Sequence, residues 1–319
     1  MLLKMLSIAT ASLALVGGFF KFPSEAKAQN FAQIYVFGDS LSDGGNVFKA
    51  TQHRTPPSPP YFRGRYSNGP VWVEYFAQKL GLSSNPNTNF AYGGATTSSS
   101  KQMPLGLLAQ IERFTASNTS ADPNALYIIW AGTNDYLGGA TNPTVPIKNL
   151  TMAVKSLSAV GAKNILVINL PDLGKLPETR NSRRADLLNN LTEQHNSSLT
   201  ISLNSLRQQL NSQINITYYD VNSLFNQILN NPKKFGFTDV TTPCLSQVSL
   251  CGQPNEYLFW DSIHPTTAAH KLLAELVFLE LKSASKPSSV VAPEITVIAG
   301  VIVLGGLGAY LVMKRTSKF

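Results

Sequence analysis

Between residues 31 and 281 the apolar positions follow two alternating rhythms. Short runs rich in β-branched and aromatic residues, at 31–37, 89–91, 126–131, 165–170 and 216–219, read as strands. Longer stretches at 71–80, 105–114, 144–160, 183–213 and 266–281 read as helices. The last of these puts Leu272, Leu273, Leu276 and Leu279 on one broad apolar face. Strand-helix alternation repeated about five times predicts an α/β fold with a mostly parallel sheet covered on both faces. Sites in such sheets lie outside the carboxyl ends of the strands, so the residues that follow each strand are where chemistry is expected. No internal repeat argues for a solenoid.

The two ends of the chain break this rhythm. After Lys4, residues 5–20 form an uncharged, mainly apolar run that leads to Ala26-Lys27-Ala28, a small-x-small cleavage site before Gln29. Residues 1–28 therefore read as a secretory signal peptide. Near the other end, residues 295–313 are free of charge and long enough to cross a bilayer, and Lys314, Arg315 and Lys318 follow as a basic cytoplasmic tail, 314–319. A Ser/Pro-rich linker, 282–294, joins this segment to the central domain, 29–281. The layout of Pro293-Glu294, apolar span and terminal Lys-Arg resembles the PEP-CTERM sorting tails of exported proteins. It implies a protein anchored at the cell surface or on the periplasmic side, or released after processing of that tail.

Composition supports a folded body: 43% hydrophobic and 14% charged residues are enough to build a core and too few charges for a disordered chain. A formal charge of +8 invites a nucleic-acid reading, but setting aside 1–28 and 282–319 leaves 18 basic against 16 acidic residues. The basicity thus belongs to the ends, where membrane contact explains it, and no nucleic-acid partner is expected. Cys244 and Cys251 are the only cysteines, in a chain that reads as exported, so a structural disulfide just ahead of Asp261 is expected. A zinc site would need further ligands at metal spacing, and none of the four histidines supplies them.

The first strand runs into Gly38-Asp39-Ser40-Leu41-Ser42-Asp43-Gly44, which sets Ser40 at a strand's carboxyl end in the position of a nucleophile. A serine hydroxyl attacks only when a base takes its proton. His53 in a Pro-rich loop, His195 on the long helix and His270 in the last helix read as solvated or structural. His264, within Asp261-Ser262-Ile263-His264-Pro265, has Asp261 three residues earlier, close enough to orient its ring. Donors for a developing oxyanion are on offer at two more strand ends: the backbone of Gly93-Gly94 and the side chain of Asn134 in Gly132-Thr133-Asn134-Asp135.

These four segments, in this order and approximate spacing, resemble the GDSL, or SGNH, hydrolases over residues 31–281. The resemblance implies a three-layer α/β/α flavodoxin-like fold with a mostly parallel five-stranded sheet. It implies a secreted esterase or lipase in which Ser40 is the nucleophile, His264 the base and Asp261 its partner. Ser40, Gly94 and Asn134 then form the oxyanion hole, with Gly93 as the alternative to Gly94. No cofactor and no metal are implied. Arg65-Tyr66-Ser67-Asn68-Gly69-Pro70 resembles the lipase and acyltransferase branch of the family. Expected partners are an ester substrate, either a lipid or an acylated small molecule or polysaccharide, and the membrane through the C-terminal segment. Two further readings stand beside the hydrolase: an acyltransferase using the same residues, and a non-catalytic surface protein that keeps the fold.

Overall fold

Strands β1 (Ile34–Gly38), β2 (Leu126–Trp130), β3 (Asn164–Ile168) and β4 (Asn215–Tyr219) pair in that order, all parallel. They belong to a computed structural model that describes residues 31–246 and 249–284. Every residue of β2 and β3 is buried, as a parallel sheet covered on both faces requires. Alternate side chains point to opposite layers. Val36, Ile128, Trp130, Leu166 and Ile168 face one core, which helices α2 (Trp72–Lys79), α7 (Val221–Asn230) and α8 (Thr267–Ala284) cover. Phe37, Tyr127, Ile129, Ile165 and Val167 face the other, under α3 (Leu107–Ser117) and α5 (Thr144–Ala159). The result is the three-layer α/β/α arrangement that the periodicity predicts.

Helix α6 (Ala185–Gln209) contributes to both cores. Leu188 and Leu191 join the first, and Leu199, Leu203 and Leu206 the second. Two short helices, α1 (Asn46–Ala50) and α4 (Thr133–Leu137), follow strand-end loops, and a small parallel pair, β5 (Asp239–Pro243) and β6 (Tyr257–Phe259), lies outside the main sheet.

The expected fifth strand is only partly realised. Asn89 makes a single parallel bridge to Val36, with Phe90 N donating to Val36 O and Tyr92 N to Gly38 O. The main sheet therefore has four laddered strands fringed by this segment, because Asn89 spends its side chain on Ser42 O and the chain turns away at Gly93-Gly94. The last helix runs three residues beyond its expected end at 281, into the expected linker. The signal peptide expected at 1–28, the remainder of the expected linker, the expected span at 295–313 and the expected tail at 314–319 lie outside the described residues. Among the described residues no helix is long and apolar enough to cross a membrane.

The parallel register sets the carboxyl ends of β1 and β2 side by side, Gly38 opposite Trp130. They approach so closely that a Cβ on Gly38 would sit 2.1 Å from the Trp130 carbonyl oxygen. Gln110 grips the same residue from α3, accepting from Gly38 N at 2.9 Å and donating to Gly38 O at 2.8 Å. The strand end that launches Ser40 is thus fixed on both sides. Cys244 and Cys251 are joined as expected, and the segment they close is tied to the strand leading to Asp261 by Cys244 N to Phe259 O and Leu245 N to Trp260 O.

Candidate active site

The loop after β1 is held by its own carboxylates. Asp39 accepts from Leu41 N, while Asp43 is buried and accepts four backbone N–H groups, those of Gly45, Asn46, Val47 and Gly93. Ser42, between them, accepts from the Trp72 indole through Oγ and from Asn89 through its carbonyl. Ser40 is left at the tip, 7% exposed.

From the far end of the chain, Asp261 folds the next three residues around its carboxylate. Oδ1 accepts from Ile263 N at 2.9 Å and from His264 N at 2.7 Å, which turns the imidazole back toward its own partner. His264 Nδ1 lies 2.7 Å from Asp261 Oδ2, and Nε2 lies 2.9 Å from Ser40 Oγ. With the proton on Nδ1, Nε2 is free to accept from the serine. Burial would raise the Asp261 pKa, but the charge of the neighbouring imidazole and the hydrogen bonds from His264 and Ile263 outweigh it and hold the carboxyl at about 2. The Arg65–Pro70 stretch has a physical role here. Ser67 Oγ donates to Pro265 O, Asn68 Oδ1 accepts from Thr267 N, and Arg65 pairs with Glu74, whose carboxylate also accepts from Val71 N at the start of α2. This clamp holds the loop carrying His264 against the Ser40 side of the molecule.

Two further strand ends complete the site. Asn134 stands in the first turn of α4; its amide donates to Ala95 O and keeps a second hydrogen. Gly94 adopts a φ of +81°, a conformation that favours glycine, and is exposed. Among the described residues, neither Ser40 N nor Gly94 N has a hydrogen-bond acceptor. Gly93 N, by contrast, is occupied by Asp43 Oδ2 at 2.8 Å. Asp135 couples the two donor loops by accepting from both Thr97 N and Thr97 Oγ1.

Tyr61 escapes sequence reasoning because its partner is 200 positions away. Its hydroxyl donates to Asp261 Oδ2 at 2.7 Å. Burial, reinforced by the Asp261 charge, pushes its pKa above the ordinary tyrosine range and keeps it a donor. Tyr66 lies against the His264 ring, with centroids 5.0 Å apart. Tyr61→Phe is expected to lower kcat roughly 3–10-fold with KM little changed, the size of one ordinary net hydrogen bond, about 0.5–1.5 kcal/mol, at a half-buried site. The activity limb set by the Asp261–His264 pair should also move to higher pH, because a carboxylate relieved of one donor holds the shared proton more tightly. A pH–rate profile identical to that of the parent would exclude this role.

Of the remaining histidines, His195 is buried with Nδ1 2.8 Å from the Tyr136 hydroxyl, His270 is buried in α8, and His53 is exposed. None of them reaches Ser40. Asp39 is also buried, and desolvation lifts its pKa to about 7. Its folded pKa therefore lies above its unfolded value of about 3.9. The folded state holds a proton that the unfolded chain has lost, so this group's contribution falls as pH rises through that window. Asp39→Asn keeps the acceptor for Leu41 N and cannot ionise. Melting curves should show the variant gaining stability over the parent, by up to a few kcal/mol, as pH rises from about 4 to about 7, and keeping that gain above it. Parallel pH dependences in the two proteins would show that Asp39 stays ionised in the fold.

A strand-end serine, an imidazole within hydrogen-bond reach and a carboxylate behind it, on a parallel α/β sheet, define a serine hydrolase. Residues 34–277 match the family described as GDSL-like Lipase/Acylhydrolase. The chain belongs to this family and is a carboxylic ester hydrolase. It is similar to Phosphatidylcholine-sterol acyltransferase of Aeromonas hydrophila, 29% identical over 301 residues that take in 77% of this chain and 88% of that protein. It is also similar to Thermolabile hemolysin of Vibrio parahaemolyticus, 28% identical over 264 residues, 76% of this chain and 62% of that one. Among solved structures, a member of the lipolytic protein G-D-S-L family from Veillonella parvula matches at 19% identity with a TM-score of 0.47, covering 78% of this chain and 96% of that one.

Proposed function

We propose that ester cleavage runs through an acyl-enzyme on Ser40. His264 Nε2 takes the Ser40 proton as Oγ attacks the acyl carbon, and the imidazolium is stabilised by Asp261 through Nδ1–H. The negative oxygen of the tetrahedral intermediate is received by Ser40 N–H, Gly94 N–H and the free amide hydrogen of Asn134. Each such donor commonly lowers the barrier by about 3 kcal/mol. His264 then protonates the departing alcohol, and a water molecule resolves the acyl-enzyme by the reverse sequence. The 2.9 Å contact between Ser40 Oγ and His264 Nε2, made across 224 positions, carries this reading. Gly94 is preferred to Gly93 because the Gly93 N–H is already spent on Asp43.

Labelling with a fluorophosphonate probe tests it: the folded protein should be modified at Ser40. A folded protein that is neither labelled nor active on any ester would point to a non-catalytic member of the fold. Transfer to an alcohol other than water is the second reading, favoured by the similarity to the Aeromonas acyltransferase. The partition of product between free acid and acylated glycerol or sterol separates the two.

For location, the reading is an exported protein with a leader at 1–28, held at a membrane by 295–313 through a PEP-CTERM-like tail. The apolar runs and the basic flank at 314–319 support it. Recovery of the full chain in the membrane fraction, and its release on deletion of 295–319, is the expected result.

A further inference from the structure

A cavity of about 260 Å³ opens from the nucleophile. Asp39, Ser40, Gly94, Thr133, Asn134 and His264 line it on the side of the site, and most of the remaining wall is apolar, chiefly side chains from α7, α8 and β6 together with Trp130, Leu173 and Leu176. Val221, Leu224, Phe225 and Ile228 recur at the helical period along α7, and Leu258 and Leu273 stand with them; all six are buried from solvent. His270 also lines the cavity, and burial pushes its pKa down to about 3, so this part of α8 presents no charge to it.

Protein interiors normally leave few voids larger than a water molecule. Where four core residues of one helix could close onto their neighbours, here they stand around open space beside the reactive serine. An apolar void of this kind is a poor site for water and a good one for a hydrocarbon guest. An ester offers two parts to fill it, the acyl chain and the alcohol. The alcohol must leave before water can resolve the acyl-enzyme, whereas the acyl chain stays tethered to Ser40 until the last step. The part lodged among these buried apolar side chains is therefore the tethered one.

We propose that this cavity receives the acyl chain, and that the preferred substrates are esters of acyl groups of about eight carbons or more rather than acetyl esters. The inference rests on the ester-hydrolase reading of Ser40. The length follows from α7: Val221 to Ile228 spans roughly 10 Å of helix axis, which an extended chain of about eight carbons matches.

The experiment is a pair of chain-length series on the full-length protein. With p-nitrophenyl esters from acetyl to palmitoyl the leaving group is constant. Each methylene that enters the cavity should raise kcat/KM up to about fourfold, so the octanoyl ester should exceed the acetyl ester at least about a hundredfold. With alkyl acetates the acyl group is constant, and lengthening the alcohol should change kcat/KM by less than about threefold. Ile228→Trp, which fills the cavity, should cut the octanoyl-to-acetyl ratio at least about tenfold and move the optimum to shorter chains; Leu224→Phe is the milder version should the first fail to fold.

A flat acyl series, or one led by acetyl, overturns the proposal. So does a rise confined to the alkyl acetates, which would give the cavity to the alcohol, or a profile that folded cavity variants leave unchanged. In all these cases Ser40 is still labelled and esters are still cleaved, which separates them from failure of the hydrolase reading, where neither occurs.

Discussion

Ser40→Ala and His264→Ala should each lower kcat by about 10⁴–10⁶-fold on any ester the protein cleaves. The two residues share one proton transfer, so the double variant should be no worse than either alone. Asp261→Ala should retain roughly 50–100-fold more rate, because the imidazole loses its orientation and its counter-charge but remains a base. These are not folding variants. Ser40 gives up a single hydrogen bond at the end of a strand fixed by Gln110 and by β2, so thermal melting should move by only a few degrees. Assays of steady-state hydrolysis alongside melting curves make the check. Substantial turnover by His264→Ala would send the search to another imidazole; His195 is turned toward Tyr136, which leaves His270, on the wall of the same cavity as Ser40.

Asp43→Asn should be the most damaging conservative change outside the reacting groups. Oδ1 accepts from Gly45 N at 2.7 Å and Asn46 N at 2.6 Å; Oδ2 accepts from Gly93 N at 2.8 Å and Val47 N at 3.3 Å. Both oxygens therefore face donors. An amide has only one oxygen, so either orientation sets an NH₂ against two backbone N–H groups in a buried site. Leaving buried donors unsatisfied in this way costs about 2–4 kcal/mol, a fall in melting temperature of roughly 5–15 °C for a domain of this size. Activity should fall with it even below the melting transition, since Asp43 ties the loop of the nucleophile to the loop of Gly94. A variant that melts like the parent would mean the loop is held by Ser42 and Asn46 contacts instead.

The parts of the molecule legible in the sequence are those written locally. Four of the five strand runs pair in the sheet because their apolar residues are contiguous and both faces are covered. The fifth, Asn89–Ala91, is too short and too quickly diverted by its asparagine to ladder. Asp261 and His264 are three residues apart, so a sequence reader sees them as a unit, and the glycine pair and Asn134 declare themselves by following a strand run. Tyr61 does not, because its hydroxyl meets Asp261 only after the whole sheet has formed. Helix α7 is hidden for another reason: it is short, and a single residue, Asp220, separates it from β4, so the two run together in the sequence. The cavity it lines cannot be read from any segment, since it is the space that four elements leave between them.

Ser40 and the His264 that contacts it lie 224 positions apart. Synthesis proceeds from the amino end, so the serine exists, strand and all, long before the imidazole that activates it. A chain interrupted anywhere ahead of residue 264 carries an unarmed hydroxyl. For a carboxylic ester hydrolase this ordering is a safeguard: reactivity arrives only with the last helix and its preceding loop, once there is a finished domain to govern it.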